Sequence, residues 1–344
     1  MFRSRHKTAK TASHALAPLR VVAVLALLSV FAAAVVWFWP DRRRQPPEIN
    51  RVLLISIDTC RADRINCYGY PRPTSPHIDA VAREGSLFTN AISPVPMTLP
   101  SHSTMLTGTI PPYHGVHDNL MYGLGQDNVT LAQILKDQGF ATEFATGAVV
   151  GTFVLDAQFG LDRGFDSYDD QFKSYDTAIK LTERQGSDVS RLAIEWLEKH
   201  KEDKFFLFAH YYDPHAPYAP PDPFASRFAD DLYAGEIAYT DDCVGLVLQK
   251  LKDLGLYDST LVVITADHGE LLGEHGEATH SFFIYQNALR VPLIVKLPHS
   301  PSDDEASRQD EPRRIDSVAG LVDIVLTICG LMGIDSPAAC AASI

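Results

Sequence analysis

The sequence has few cysteines and no pattern of them that would bind a metal. Its five cysteines among 344 residues lack the short repeated spacing that zinc sites use. Cys60 and Cys67 lie close enough in the chain to pair in an oxidising compartment, and the sequence leaves that pairing open. Cys243 and Cys329 are better explained as small buried core residues.

Positive charge is scarce over most of the chain, whose formal net charge at pH 7 is −13. Residues 1–44 carry eight Lys or Arg against one acid, so the other 300 residues carry 22 basic and 42 acidic groups. Because nucleic-acid phosphates require a basic surface, this excess of acid excludes nucleic acid as the main partner. Internal repeats are also absent, and the apolar and charged fractions, 46% and 21%, are those of a globular protein.

A long apolar run is present near the N-terminus. Val21 to Trp39 is nineteen residues without a charge and ends in three aromatic residues, and about 20 apolar residues span a bilayer. We predict a basic cytoplasmic segment (1–20), a transmembrane signal anchor (21–39) and a linker (40–50), with the following domain in the periplasm or the extracellular space. A cleaved signal peptide is the alternative, because Ala32 to Ala34 offer small residues for cleavage.

Short apolar runs alternate with helical patterns through the rest of the chain. The runs predict strands at 51–58, 140–145, 205–212, 261–266 and 291–297. Helices are predicted from Pro76 to the residue before Gly85 and at 131–138, 188–200 and 233–254. This alternation predicts an α/β fold with a central, mainly parallel sheet and helices on both faces.

Three of the predicted strands end in side chains that commonly bind metals. The first ends at Asp58, another runs through His210 and Asp213 to His215, and a third ends in Asp267-His268. Sites in α/β proteins form at the carboxyl ends of the strands. One such residue is as readily explained by a loop or capping role, but three together indicate a site for a divalent cation.

Thr98 lies at the start of a helix-like run that ends at Gly108. Free backbone N–H groups and the helix dipole at such a start favour an anion, and a nearby metal would lower the pKa of the hydroxyl further. The sequence thus offers Thr98 as a nucleophile. Taken alone, a simple N-cap role for Thr98 is the more economical explanation.

Several motifs extend this pattern in a fixed order. They are Asp58, Cys67-Tyr68-Gly69, Thr74-Ser75-Pro76-His77-Ile78-Asp79, Thr98-x-Pro100-Ser101, Leu106-Thr107-Gly108, Asp267-His268-Gly269, Leu272-Gly273-Glu274-His275-Gly276 and Leu289-Arg290-Val291-Pro292-Leu293-Ile294. This order resembles the sulfatase family of the alkaline phosphatase superfamily from about residue 51 to residue 334. The resemblance implies an alkaline-phosphatase/sulfatase-like sandwich with a catalytic domain at 51–337.

The resemblance also implies a metal centre. Asp58, Asp267 and His268 would be its side-chain ligands, and Thr98 would be the nucleophile at the same ion. Oxygen donors with one imidazole suit Ca²⁺, Mg²⁺ or Mn²⁺ and do not exclude Zn²⁺, with Ca²⁺ or Mn²⁺ favoured.

Four histidines take their implied roles from the same resemblance. His102 occupies the place of an arginine that lies beside the nucleophile in sulfatases. His215 and His280 match positions that contact the ester oxygens or assist the leaving group. His275 is expected to be structural.

The sequence also departs from the family pattern. Typical sulfatases carry a cysteine that is oxidised to formylglycine where this chain has Thr98, and threonine has no route to that aldehyde. Thr59 replaces a second aspartate, and residues 147–153 replace a Gly-Lys-Trp-His segment. Only a short tail, 338–344, follows the predicted domain, so we expect a C-terminal subdomain of the family to be missing or truncated.

These features predict a hydrolase of sulfate or phosphate esters that acts on a small-molecule, glycan or lipid substrate through Thr98. Threonine nucleophiles resemble those of phosphodiesterases and of envelope transferases in the same superfamily. A transferase of phosphoryl head groups, similar to phosphoethanolamine transferases or lipoteichoic-acid synthases, is therefore an alternative. An inactive, sulfatase-like binding protein is another.

Overall fold

The computed structural model describes residues 48–137, 144–172, 183–299 and 312–335, together with Cys340. The predicted N-terminal segment and membrane anchor lie outside these ranges, as do most of the linker and nearly all of the tail. None of the helices within these ranges combines the length and the hydropathy needed to span a bilayer.

One sheet runs through the described part of the chain. Its strands are β1 (Arg51–Ile57), β2 (Ser86–Ile92), β3 (Phe144–Val149), β4 (Ser167–Asp169), β5 (Lys204–Tyr211), β6 (Leu261–Ala266), β7 (Arg290–Val291), β8 (Leu293–Lys296) and β9 (Arg313–Gly320). They lie in the order β4-β3-β5-β1-β6-β8-β2-β7, and β9 also pairs with β2. Pairing is parallel from β4 to β6, whereas β8 runs antiparallel to β6 and β2.

Helices cover both faces of this sheet. They are α1 (Pro76–Arg83), α2 (Thr98–Thr107), α3 (Pro111–His114), α4 (Leu131–Asp137), α5 (Gly186–Lys199), α6 (Phe224–Arg227), α7 (Leu232–Asp253), α8 (Gln286–Leu289) and α9 (Asp323–Met332). Successive strand side chains point to opposite faces. Accordingly, His210 meets His102 on α2, and the next residue, Tyr211, bonds Ser190 on α5. The predicted α/β sandwich is confirmed.

The sheet is less regular than the sequence predicts at its β8–β9 end. The predicted strand 291–297 is divided at Pro292, which has no N–H for a ladder and separates β7 from β8. Strands β2, β4 and β9 were not predicted. Alternating buried and exposed positions make β2 less apolar than the central strands.

Side chains cap the N-termini of α4 and α1 in different ways. Thr130 Oγ1 accepts the Gln133 N–H at 3.2 Å while the Gln133 side chain accepts the Thr130 N–H at 3.0 Å, a reciprocal capping box at α4. Ser75 lies at the N-cap of α1, but its hydroxyl does not cap that helix. Instead Asp241 accepts the N–H groups of His77 and Ile78 at 3.0 and 2.8 Å.

The open question of a Cys60–Cys67 disulfide has a clear outcome, because both residues are free thiols. Cys60 is fully buried in the core beyond β1. Cys67 lies in a separate turn, where its N–H bonds Asp79 at 2.9 Å. Cys243 and Cys329 are buried, as predicted.

Candidate active site

The three carboxyl ends singled out in the sequence meet at the centre of the sheet. Asp58 follows β1, Asp267 and His268 follow β6, and β5 is the other neighbour of β1. Asp58, Asp267 and His268 are all fully buried, and each offers one ligand atom within 4.8 Å of the others. Parallel pairing in register places these groups side by side, which is the geometry that the sequence predicts.

Thr98 joins this group from the other side. Its Oγ1 lies 3.4 Å from Asp58 Oδ2 and 3.4 Å from His268 Nε2, and the residue is 2% exposed. Thr98 is the first residue of α2, whose N-cap is Met97, and the side chain that accepts an N–H of the first turn, that of Leu99, is Asn119 and not Thr98. The N-cap interpretation of Thr98 is therefore wrong, because its hydroxyl points to the acids.

The donors in this cluster fit a divalent cation. Asp58 Oδ1 and Asp267 Oδ2 are buried without a hydrogen-bond partner in the described part of the chain, and a buried anion needs compensation. His268 Nδ1 lies 2.9 Å from the Gly269 carbonyl, so it donates there. Nε2 then presents a lone pair towards Asp267 Oδ2, 3.3 Å away. Ligating histidines commonly have this arrangement.

The two carboxyl groups respond differently to burial. Burial would raise the pKa of Asp58, but the neighbouring imidazoles, chiefly that of His210 and then that of His215, hold it well below its ordinary value. Burial and the charge of Asp58 raise the pKa of Asp267 well above its ordinary range. Two acids this close cannot both ionise without a counter-charge.

Backbone geometry beside the acids is specialised. Thr59 has a φ of 52°, an outlier for a β-branched residue. This conformation directs its N–H to Asp267 Oδ1 at 3.1 Å, while its carbonyl accepts from Tyr233 at 2.7 Å. At Gly269, a Cβ would lie 2.0 Å from the Asn287 carbonyl oxygen, so only glycine allows this close approach.

His102 connects Thr98 on α2 to Ser56 on β1. Its Nδ1 donates to the Thr98 carbonyl at 2.8 Å and Nε2 accepts from the Ser56 hydroxyl at 2.9 Å. Burial, and then the neighbouring His210, lower the pKa of His102 to about 3. The ring is therefore neutral, whereas the arginine expected from the resemblance would carry a charge.

His210 is also a member of the site, although the sequence, in which it stands in a run of metal-type side chains, gives it no separate role. It is fully buried, and Nε2 lies 3.3 Å from Asp58 Oδ2, off the line of a good hydrogen bond. Its Nδ1 accepts the Gly151 N–H at 3.2 Å. His210 stands within β5 rather than after it, so its place in the chain resembled that of a core residue.

His215 and His280 lie next to each other at the edge of the cluster. Their ring centroids are 5.1 Å apart, and the His280 ring is 4.4 Å from that of His268. Glu270, fully buried, accepts the His280 N–H at 2.7 Å and lies 3.1 Å from His280 Nδ1. His215 Nδ1 donates to the Ala216 carbonyl at 2.7 Å. In both rings Nδ1 contacts a protein oxygen, that of Ala216 or that of Glu270, so Nε2 lies on the opposite side of the ring.

His275 stands apart from this group. Its ring stacks on Tyr285 with centroids 3.8 Å apart. The neighbouring Glu274 pairs with Arg61 at 2.6 Å and accepts from Asn287 at 3.0 Å. This turn holds the loop in place, in line with the expected structural role of His275.

Comparison with known proteins agrees with this arrangement. A family model described as Sulfatase matches residues 50–334. An ulvan-active sulfatase from Formosa agariphila is 28% identical over 302 residues, covering 75% of this chain and 58% of that protein. Iduronate 2-sulfatase from Mus musculus is 26% identical over 388 residues, covering 84% of this chain and 70% of that protein. The structure of a phosphonate monoester hydrolase from Agrobacterium radiobacter shares the fold, with a TM-score of 0.68 at 20% identity over 83% of this chain and 74% of that one.

The matched region begins just before β1 and ends just after α9. It therefore includes every residue of the cluster around Asp58. The family model covers more than half of the sequence. The chain therefore belongs to the sulfatase family.

Proposed function

We propose that this protein is a metal-dependent hydrolase of sulfate or phosphate esters in which Thr98 is the nucleophile. The observation that carries the proposal is the position of Thr98 Oγ1, 3.4 Å from both Asp58 and His268. A hydroxyl needs activation to act as a nucleophile, and coordination to a metal is one way to supply it. The sulfatase and phosphonate hydrolase names among the similar proteins support this class of chemistry.

The residues that would hold the cation are Asp58, Asp267 and His268. A divalent ion there would supply positive charge that lowers the pKa of the Thr98 hydroxyl and offsets charge on the ester. The oxygen-rich donor set favours Ca²⁺ or Mn²⁺. Thr59, in the place of a second aspartate, adds a buried Oγ1 without a partner among the described residues.

The reaction divides into two displacements. The Thr98 hydroxyl releases its proton to water, its oxygen attacks the sulfur or phosphorus atom, and the bond from that atom to the ester oxygen breaks. The leaving alkoxide takes a proton from His280 or His215. Water, deprotonated by the same histidine, then cleaves the ester on Thr98 and releases the anion. His102 positions Thr98 through its carbonyl and does not touch the ester.

His280 is the stronger candidate for the proton donor. The buried Glu270 carboxylate lies 3.1 Å from His280 Nδ1 and fixes the orientation of the ring, as a carboxylate partner does for other catalytic histidines. His215 has only neutral partners, the Tyr212 hydroxyl and the Ala216 carbonyl.

The first experiment compares the wild-type protein with Thr98→Ala and Thr98→Ser. Each is assayed against p-nitrophenyl sulfate, p-nitrophenyl phosphate, bis-p-nitrophenyl phosphate and a phosphonate monoester, with each divalent metal in turn. We expect Thr98→Ala to lower kcat by about 10³-fold or more, since the nucleophile is lost. Thr98→Ser, which keeps a hydroxyl, is expected to retain activity.

Two outcomes would decide against the proposal. Full activity of Thr98→Ala on every cleaved ester would exclude a threonine nucleophile. Appearance of the anion on an added alcohol rather than in solution would indicate a transferase instead.

For localisation, we propose a single-pass membrane protein with the catalytic domain outside the cytoplasm, supported by the apolar run 21–39. Protease accessibility in intact cells tests this: cleavage of the domain from outside is expected, and protection would contradict it.

A further inference from the structure

Two loops beside the candidate site expose large apolar side chains. Phe282, Phe283 and Ile284 are 85%, 46% and 74% exposed, and Leu120 and Met121 are 63% and 82% exposed. Scattered apolar residues are normal on a protein surface, but consecutive ones form a patch that commonly marks a binding site. We call these five residues the apolar rim.

The chain connects this rim directly to the reacting groups. Phe282 is two residues after His280, so their Cα atoms are no more than about 7.6 Å apart. On the other loop, the Asn119 side chain accepts the N–H of Leu99, the residue after the nucleophile, at 2.9 Å. Leu120 and Met121 follow Asn119 immediately. Both halves of the rim are therefore anchored at the candidate site.

The loop that carries Phe282 is held in its outward position. Ser281 has a φ of 106°, which a residue other than glycine rarely adopts. Such strain persists where surrounding contacts hold the backbone, and it concentrates at functional sites. Here His280 is fixed by Glu270 on one side of Ser281, and Tyr285 is stacked on His275 on the other.

Charge around the site does not suit a polyanionic substrate. The sequence has no Lys or Arg in residues 115–130, 212–226 and 269–289, the three segments that carry Asn119, His215 and His280. Arg61, which reaches the third segment, is paired with Asp63 and Glu274. A substrate with several sulfates would meet acids there instead of cations.

We propose that the apolar rim binds the alcohol part of the substrate, so that the ester cleaved at Thr98 carries an alkyl or aryl group. This inference rests on the proposed function, because it takes His280 as the residue beside the leaving oxygen. The anionic head group lies at the buried acids and their cation, and the apolar group extends over Phe282 and Ile284 towards solvent.

The test measures binding rather than turnover. Thr98→Ala protein, which would not cleave its ligand, is titrated by calorimetry with n-alkyl sulfates and n-alkylphosphonates from ethyl to octyl in the presence of Mn²⁺ or Ca²⁺. We expect affinity to rise about two- to fourfold for each added methylene, the value for partial to full burial of a CH₂ group. Adding Phe282→Ser and Ile284→Ser is expected to flatten this dependence on chain length.

A matched control is Leu246→Ser in the same background. Leu246 is 56% exposed on α7, and thirteen residues of helix place it about 20 Å from the Tyr233 end that contacts Thr59. This variant loses a comparable exposed side chain and is expected to keep the full chain-length dependence.

Three results would overturn the inference. One is equal affinity for ethyl and octyl ligands. Another is a dependence of affinity on chain length that remains unchanged in the Phe282→Ser/Ile284→Ser and Met121→Ser variants. Loss of that dependence in Leu246→Ser, to the same extent as in the rim variants, would count equally against it. The third is rim-dependent binding to phosphatidylcholine vesicles with no chain-length dependence, which would make the rim a membrane contact. Failure of the proposed function is visible separately, as ester hydrolysis that does not depend on Thr98.

Discussion

The candidate centre and the apolar rim depart from the usual distribution of side chains in opposite directions. The centre buries Asp58 and Asp267 completely and leaves one oxygen of each without a hydrogen-bond partner among the described residues, whereas the rim exposes Phe282 and Ile284 by 85% and 74%. Each arrangement opposes folding, since buried charge loses solvation and exposed apolar surface orders water. Residues that do not stabilise the fold by themselves are best explained by something they bind: a cation inside, an apolar group outside.

The largest expected effect comes from Asp267→Asn. Removing a carboxylate ligand is expected to lower kcat by about 10³-fold or more. In EDTA, however, the variant should gain about 1–3 kcal/mol in free energy of unfolding, because the buried acid must take up a proton on folding to be neutral beside Asp58, whereas the amide is neutral already and its N–H can bond His268 Nε2. Activity assays and denaturant unfolding with and without divalent metal measure the two effects.

Asp63→Asn is the matched control, because Asp63 is a half-exposed carboxylate paired with Arg61. It is expected to keep a metal-dependent gain in stability, and Asp267→Asn to lose it. An Asp267→Asn protein that is less stable in EDTA than the wild type would show that the carboxylate is already compensated within the protein.

The sequence was sufficient to predict that Asp58, Asp267 and His268 lie together, because its signals are local. Asp58 and Asp267-His268 directly follow buried strands, and parallel strands bring their carboxyl ends together. Thr98 required the family resemblance, since an N-cap was the simpler explanation until the structure placed its hydroxyl 3.4 Å from Asp58.

Other features depend on contacts between distant parts of the chain and could not be read from a local pattern. His210 looks like a strand residue, and only the pairing of β5 with β1 brings it opposite Ser56, beside Asp58. The antiparallel strand β8 has the same apolar composition as a parallel one. The exposure of Phe282 is likewise invisible in sequence, where three apolar residues in a row predict burial.

The substitution Glu270→Gln tests how much the Glu270–His280 contact at the edge of the centre contributes to catalysis. Loss of the carboxylate removes the acceptor that orients the His280 ring, so we expect kcat to fall about 10-fold with little change in KM. Glu274→Gln is the control from the same loop, because its carboxylate binds Arg61 instead. A fall in kcat of the same size in both variants would mean that the loop is merely disturbed.

Glu236, a buried acid on α7 that is not among the predicted metal ligands, sharpens the contrast with Asp267. Burial raises the pKa of Glu236, 5% exposed, from 4.5 to about 8. Between these values the folded protein holds a proton that the unfolded chain has released, so stability falls as pH rises. Glu236→Gln is expected to be about 1–3 kcal/mol more stable than the wild type at pH 8 and nearly equal at pH 4.5.

Urea unfolding across this pH range, in EDTA, measures the difference. Burial also raises the pKa of Asp241 to about 8, so part of the slope should remain in the single variant. An unchanged pH dependence in Glu236→Gln would show that this carboxyl is ionised in the folded protein.

The smallest effect is expected at the rim. Phe282→Ser should change the free energy of unfolding by no more than about 0.5 kcal/mol, because an exposed side chain loses little on truncation. Phe208→Ser, at a fully buried phenylalanine beside His102, should lower it by about 3–5 kcal/mol. The same substitution thus separates a residue that stabilises the fold from one that does not. If Phe282→Ser instead approached the effect of Phe208→Ser, the loop would be packed in solution and no apolar surface would remain beside His280 to receive a ligand.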